Sequence, residues 1–428
     1  MNKLKNRFKD VLKGNYFKNI LILTSGSIIG QVIAVVCSPL LTRIYSPADI
    51  GIYSYILAMI STFTAIINGR YDMGIVSEKN NDRAFALVKL SFIIGTIFSI
   101  VASILFSIYF IWFKKEYSKY SFVLIFFFLI LMSNNLINIL NSWNNRLKEY
   151  EVLSQVNVIR SSFQNIGGVL LGLLKVGFFG LIFPYTVGQY MGITKQSKTM
   201  KPYFGAIKEV DKKTVKQVML DYKRFPIFSA PALLANSFSY SSITIFMEQL
   251  FSLSTVGFYS LSTTILGLPL SLVSGNISKV FFREATSEYQ KTKQYASSLK
   301  KTLLLLVALS IPTGIIMYFV APWACSFFLG KRWVVAGEYI KILVPYYMVR
   351  FVGTSISNGF IISQKQDQEL MIQILLVLTS VAALVITKLL NAPVEVFLFL
   401  IMILKSIVYA LLIGIIWFDA SSEVRKNV

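Results

Sequence analysis

The chain has 428 residues, of which 55% are hydrophobic and 14% charged, with a mean hydropathy of +0.64 and a formal net charge of +22. These values exclude a soluble globular fold, because the hydrophobic residues gather in blocks of about 20, long enough to cross a bilayer core about 30 Å thick. They also argue against a nucleic-acid partner: most Lys and Arg residues fall in the polar stretches flanking the blocks, where membrane topology accounts for them. There is no histidine, which removes the commonest metal ligand and neutral-pH proton relay. Cys37 and Cys325 lie in or beside apolar segments, so neither a metal site nor a structural disulfide is expected.

In chain order the blocks predict about twelve helices, at roughly 17–41, 50–68, 84–112, 120–142, 152–174, 176–194, 225–248, 255–277, 302–321, 338–362, 369–390 and 394–418. The basic start, MNKLKNRFKDVLKGNYFK, precedes an apolar run too long for a signal peptide and lacks a small-residue cleavage site, so a retained first helix is expected. If the loops alternate sides, those on the side of the N-terminus hold most of the Lys and Arg, nine of them in Lys195–Arg224 alone. The positive-inside rule then puts both termini in the cytoplasm. Within the basic segment, KKTVKQVMLDYKR reads either as an interfacial amphipathic helix or as a solvated linker beside anionic lipid.

One phrase occurs twice. YSPADIGIYS (Tyr45–Ser54) aligns with FSLSTVGFYS (Phe251–Ser260), with Ser46/Ser252, Gly51/Gly257, Tyr53/Tyr259 and Ser54/Ser260 identical. Each copy follows the first helix of a predicted set of six. The expected organisation is therefore a six-helix lobe at 1–194, a basic linker at 195–224 and a second six-helix lobe at 225–428. Six is even, so both lobes enter the membrane in the same sense, the parallel repeat found in many transporters.

More than two residues from either end, the charged residues of the predicted spans are Lys89, Arg160, Lys341, Arg350 and Lys405, while Glu248, Glu338 and Glu395 lie at ends. Lys89 and Lys341 lie near helix ends, where their stems can snorkel to the interface. Arg160, Arg350 and Lys405 lie eight to twelve residues in, roughly 12 to 18 Å deep at about 1.5 Å per residue. No Asp or Glu accompanies them at mid-depth. A cationic interior without counter-ions calls for an anionic ligand, and the planar fork of Arg suits phosphate oxygens. Polar residues recur at helical spacing beside these cations. Gln31 lies in the first span, Asn138 and Asn141 in the fourth, Gln164 beyond Arg160 in the fifth, and Tyr347 and Asn358 flank Arg350 in the tenth. Such stripes either face sugar hydroxyls or bond helix to helix. Pro226 and Pro231 in the seventh span are expected hinges.

Three stretches carry a resemblance: LLTRIYSPADIGIYS, RYDMGIV at Arg70–Val76, and FFLGKRWVVAGEYIKILVPYY at Phe327–Tyr347. Together with the span number and the central basic loop, they resemble the Wzx-type O-antigen and capsular polysaccharide flippases of the multidrug/oligosaccharidyl-lipid/polysaccharide exporter superfamily. The resemblance implies an all-α integral membrane protein of MATE-like architecture, with two six-helix lobes around a central cationic cavity in the bacterial inner membrane. It implies alternating access and an undecaprenyl-pyrophosphate-linked oligosaccharide as cargo, moved beside membrane lipids and alongside polysaccharide polymerase and chain-length machinery. No cofactor and no catalytic residue are expected. Two rivals stay open. A membrane polymerase or glycosyltransferase would need a carboxylate or other base facing a sizeable outer loop, yet these loops are short and the longest, PWACSFFLGKRWVVAG, has no acid. A cation-coupled drug exporter would need a deep acidic residue.

Overall fold

The computed structural model describes residues 15–421, and among them every regular element is helical. The basic stretch that precedes the first helix lies largely outside the described residues. Twelve helices of a dozen residues or more stand at the twelve expected places. They are α1 (Asn15–Ile44), α2 (Pro47–Thr64), α3 (Asn81–Phe113), α4 (Val123–Arg146), α5 (Tyr150–Leu173), α6 (Phe179–Tyr190), α7 (Ala230–Leu250), α8 (Leu253–Thr292), α9 (Ala296–Ala324), α10 (Val334–Ile356), α11 (Gln366–Leu389) and α12 (Val394–Ser421).

Seven of these are long and apolar enough to cross a membrane: α1, α3, α4, α8, α9 (extended to Leu329), α11 and α12. The other five fall short for physical reasons. Helix α6 has only 12 residues, while α5 and α10 carry the polar and charged side chains singled out above. Large apolar side chains lie bare on the outside, among them Trp112, Phe113, Phe319, Leu389 and Phe418. An apolar exterior of that extent is stable only against lipid.

The chain packs as two compact units: residues 1–45 with 59–234, and residues 46–58 with 235–428. In the first unit, α1 lies along α5. Gly26 and Gly30 admit this: a Cβ at either would collide with Ser154 or press on Ser161, and Ser161 Oγ donates to the Gly30 carbonyl at 2.6 Å. Small residues four apart let two helices approach to backbone contact.

The segment expected as a linker, 195–224, is built into this first unit. Met200 and Val218 are buried with Tyr71, Ile75, Phe85 and Trp143. Lys89 does not snorkel but donates to the carbonyls of Lys208 and Val210 at 2.7 and 2.9 Å, at the C-terminus of the short helix Phe204–Glu209, where a cation is favoured by the helix dipole. The helix Lys212–Asp221 is held by Arg83, which pairs with Asp221 and Glu78, both at 2.8 Å. One face of the basic segment is therefore packed and the other exposed, so a wholly solvated linker does not describe it.

In the second unit, α10 is the central element, packed on α8, α9 and α12. The repeated phrases meet here. Ser46 caps α2 by a reciprocal box with Asp49, accepting from the Asp49 N–H at 3.1 Å while its own N–H donates to the Asp49 carboxylate at 3.2 Å. Ser252 caps α8 from the Thr255 N–H at 3.2 Å. The two helix starts then cross at their glycines: a Cβ on Gly51 would strike the Leu253 carbonyl, and one on Gly257 the Pro47 carbonyl. Ser54 and Ser260 share a hydrogen bond at 2.6 Å. The contacts are reciprocal under the repeat, and Ser54 bonds its own equivalent. This backbone-tight crossing is why 46–58 packs with the second unit instead of with the helices that precede and follow it.

Candidate functional site

Arg350 projects from α10 one turn and a half beyond Pro345, which removes one backbone donor from the helix ladder. Its guanidinium carbon stands 4.4 Å from the ring centre of Tyr240 on α7 and 5.3 Å from that of Tyr347. Both distances are in cation–π range. Its polar neighbours include the hydroxyls of Tyr346 and Tyr347. Tyr409 of α12 closes the cage, its hydroxyl 2.8 Å from that of Tyr240 and its ring 6.0 Å from that of Tyr346. Gly353 makes room for it, since a Cβ there would collide with the Tyr409 ring.

Behind the cage, Lys405 is fully buried, with its Nζ 5.9 Å from the Tyr240 ring and donating to the Ser239 carbonyl at 2.6 Å. That bond uses one of the three donors of the ammonium. Arg350 faces a cavity of about 340 Å³ lined also by Tyr259, Thr263, Thr264 and Thr244, and no carboxylate lines it. The site therefore concentrates positive charge and hydroxyl groups around an open volume. Charges removed from water without partners are costly, so an anion entering this cavity would be strongly favoured.

Of the residues singled out from sequence, Arg350, Lys405 and Tyr347 come together here. Asn358 does not: it lies past the end of α10 and donates to Ser278 Oγ at 3.0 Å. Tyr240, Tyr259, Tyr346 and Tyr409 were missed. Tyr259 stood out only as an identical position of the repeated phrase, and the other three only as mid-span tyrosines, an ambiguous signal in a chain with 22 of them.

The first-unit residues are engaged otherwise. Arg160 is buried; its Nε donates to the Met191 carbonyl at 3.2 Å and its Nη2 to Gln196 Oε1 at 2.7 Å. Met191 closes the C-terminus of α6, and Gly192 follows in the left-handed region at φ 80. Arg160 is thus a helix-end clamp satisfying an orphan carbonyl. Gln196 in turn donates to Asn141 Oδ1 at 2.8 Å. Gln164 packs against Gly188, and Asn138 donates to Asn68 Oδ1 at 3.1 Å. Asn141 and Asn138 therefore bond segment to segment. Gln31 differs, its buried Oε1 having no hydrogen-bond partner. No cluster of metal-ligating side chains occurs among the described residues.

A family model described as polysaccharide biosynthesis protein matches residues 40–338. The chain belongs to that family. A search of curated proteins finds no match. Solved structures share its fold at low identity. A MATE-family multidrug resistance transporter of the MOP superfamily, in an inward-facing conformation, is similar over 96% of this chain and 100% of its own, with a TM-score of 0.67 and 11% identity. The lipid II flippase MurJ, in an inward closed conformation, gives a TM-score of 0.67 and 13% identity over 94% of this chain and 88% of its own. A MOP-superfamily transporter from Pyrococcus furiosus, described by the reverse polarity of its binding pocket, gives 0.62 and 12% over 97% and 98%. The protein is accordingly a multi-pass membrane protein of transporter fold.

Proposed function

We propose that this protein is a flippase that carries an undecaprenyl-pyrophosphate-linked oligosaccharide across the bacterial cytoplasmic membrane by alternating access between two lobes. Twelve spans, cytoplasmic termini and handover to a polysaccharide polymerase and its chain-length machinery belong to this reading. The observation that carries it is the Arg350 cavity, with a guanidinium at its wall, a buried ammonium behind and no carboxylate lining it. A pyrophosphate crossing a low-dielectric interior needs compensating charge, and a fixed guanidinium supplies it without exchanging a proton. Threonine and tyrosine hydroxyls add neutral donors for the remaining oxygens. Arg160 is left out of this role, because two of its five N–H donors fasten it to Met191 and Gln196 and it does not line the Arg350 cavity. Membership in a polysaccharide biosynthesis family and likeness to a lipid II flippase support the same reading. An organic cation, the cargo of a drug exporter on this fold, would meet repulsion here.

The test is the product that accumulates when the gene is deleted. Loss of a flippase leaves lipid-linked repeat units on the cytoplasmic face, whereas loss of a polymerase leaves single exported units at the surface. Loss of a drug exporter changes neither. Accumulation of exported single units would refute the flippase reading. Orientation is tested separately: a cysteine introduced at Ser254 should react with an impermeant thiol reagent in intact cells, and one within 195–224 should not.

A further inference from the structure

The first unit holds a second polar cavity that the Arg350 site does not explain. Helix α2 ends at Thr64, and the chain turns through Gly69 and Arg70, both left-handed, at φ 57 and 64. The left-handed region is costly for a residue with a Cβ, about 1 kcal/mol, and such outliers collect at ligand sites. The turn delivers Arg70 and Asp72 to a cavity of about 230 Å³, walled also by Thr64, Asn68, Asn138 and Leu233.

Asp72 is buried, yet it forms no ion pair with Arg70, and Arg70 Nε is buried without a hydrogen-bond partner. Burial pushes the Asp72 carboxyl up, opposed by the Arg70 charge and the N–H groups of Asp72 and Met73. The amides are fixed beneath: Asn68 donates to Asn135 Oδ1 at 2.7 Å and accepts from Asn138 at 3.1 Å. Thr64 accepts from Asn134 at 3.0 Å. The walls are thus rigid and satisfied, and what is left for an occupant is the Arg70 Nε, beside an Asp72 carboxylate that already accepts from the N–H groups of Asp72 and Met73.

We infer that this cavity is a sugar subsite, in which Asp72 accepts from and Arg70 donates to neighbouring hydroxyls of one sugar ring of the cargo. A hydroxyl is donor and acceptor at once, so two adjacent hydroxyls can accept from the unpartnered Arg70 N–H and donate to a remaining lone pair of the neighbouring carboxylate. A simple anion would face Asp72, and a simple cation would face Arg70; a neutral polyol meets neither penalty. Leu233 offers an apolar wall for the ring's C–H face. The inference rests on the reading that the cargo carries an oligosaccharide.

The experiment measures binding to the full chain in nanodiscs with two probes: undecaprenyl pyrophosphate, and the lipid-linked oligosaccharide extracted from export-blocked cells. Asp72→Asn and Arg70→Gly are compared with the wild type; glycine accepts the left-handed φ, so the second variant removes the guanidinium while relieving the backbone. Both should weaken the oligosaccharide-bearing probe about tenfold and leave undecaprenyl pyrophosphate unchanged. Equal loss of both probes, or no loss of either, overturns the subsite. If undecaprenyl pyrophosphate fails to bind the wild type, the pyrophosphate reading of Arg350 falls, and the subsite is still decided by the oligosaccharide-bearing probe alone.

Discussion

Arg160 and Arg350 both sit well inside long helices, and the protein holds them in opposite ways. Arg160 gives its donors to a helix-end carbonyl and a glutamine. Arg350 stands between the faces of Tyr240 and Tyr347 beside an open cavity, and among the described residues no carbonyl or carboxylate accepts from it. An aromatic face offsets part of a guanidinium's charge without occupying its N–H groups. The difference teaches that depth alone does not mark a ligand site. The two differ in what they meet: backbone and amide oxygens for Arg160, tyrosine rings and hydroxyls beside an open cavity for Arg350.

The widest separation is expected between the two alanine variants. Arg350→Ala should abolish surface polysaccharide in a flippase-null strain while membrane abundance on a blot stays normal. Arg350→Glu should do the same by repelling the anion, and Arg350→Lys should restore part of the export because it keeps charge and loses the bidentate fork. Arg160→Ala should act on folding instead, leaving a buried carbonyl unsatisfied at a cost of about 1–3 kcal/mol, seen as a lower melting temperature and lower abundance. Loss of export by Arg160→Ala at normal abundance would break the comparison.

Lys405→Met comes next. It keeps the buried stem and removes the ammonium behind Tyr240, so undecaprenyl pyrophosphate should bind about tenfold more weakly, the range of a charge-assisted contact. Unchanged binding would confine the electrostatic role to Arg350. A smaller effect is expected at Tyr240. Tyr240→Leu removes the ring face and should weaken binding by about 1–2 kcal/mol. Tyr240→Phe keeps the face and loses only the hydroxyl bond to Tyr409, so it should retain most of the affinity. If Phe and Leu are equally damaging, the hydroxyl pair matters more than the cation–π cage.

The smallest effect concerns the acid response of the basic segment. Burial pushes the Glu78 carboxyl up, but hydrogen bonds from Arg83, the Asn80 N–H and Tyr222 prevail and lower it from 4.5 to about 2. A lowered carboxylate stabilises the fold above its unfolded value and loses that contribution as pH falls from 4.5 toward 2. The melting temperature should therefore drop over that window, and less steeply in Glu78→Gln. Identical slopes would mean that Glu78 does not fasten Tyr222 and the helix Lys212–Asp221.

Much of the fold was readable before any contact was known, because apolar block length reports a helix in lipid. Among the described residues the apolar blocks are helical, seven of the helices being long and apolar enough to cross a membrane, and the repeated phrase marks two capped helix starts that cross at their glycines. What the linear pattern could not decide was which cation is free. The partners of Arg160 lie 31 and 36 residues away along the chain, and the tyrosines around Arg350 come from α7, α8, α10 and α12. Periodicity tells which face of a helix a residue occupies, but not what the facing helix offers it. For the same reason the asparagines of α4, indistinguishable by spacing from a ligand stripe, proved to be largely helix-to-helix bonds, and the segment 195–224 proved to be packed. Those outcomes depend on hydrogen-bond partners that only the tertiary structure brings within reach.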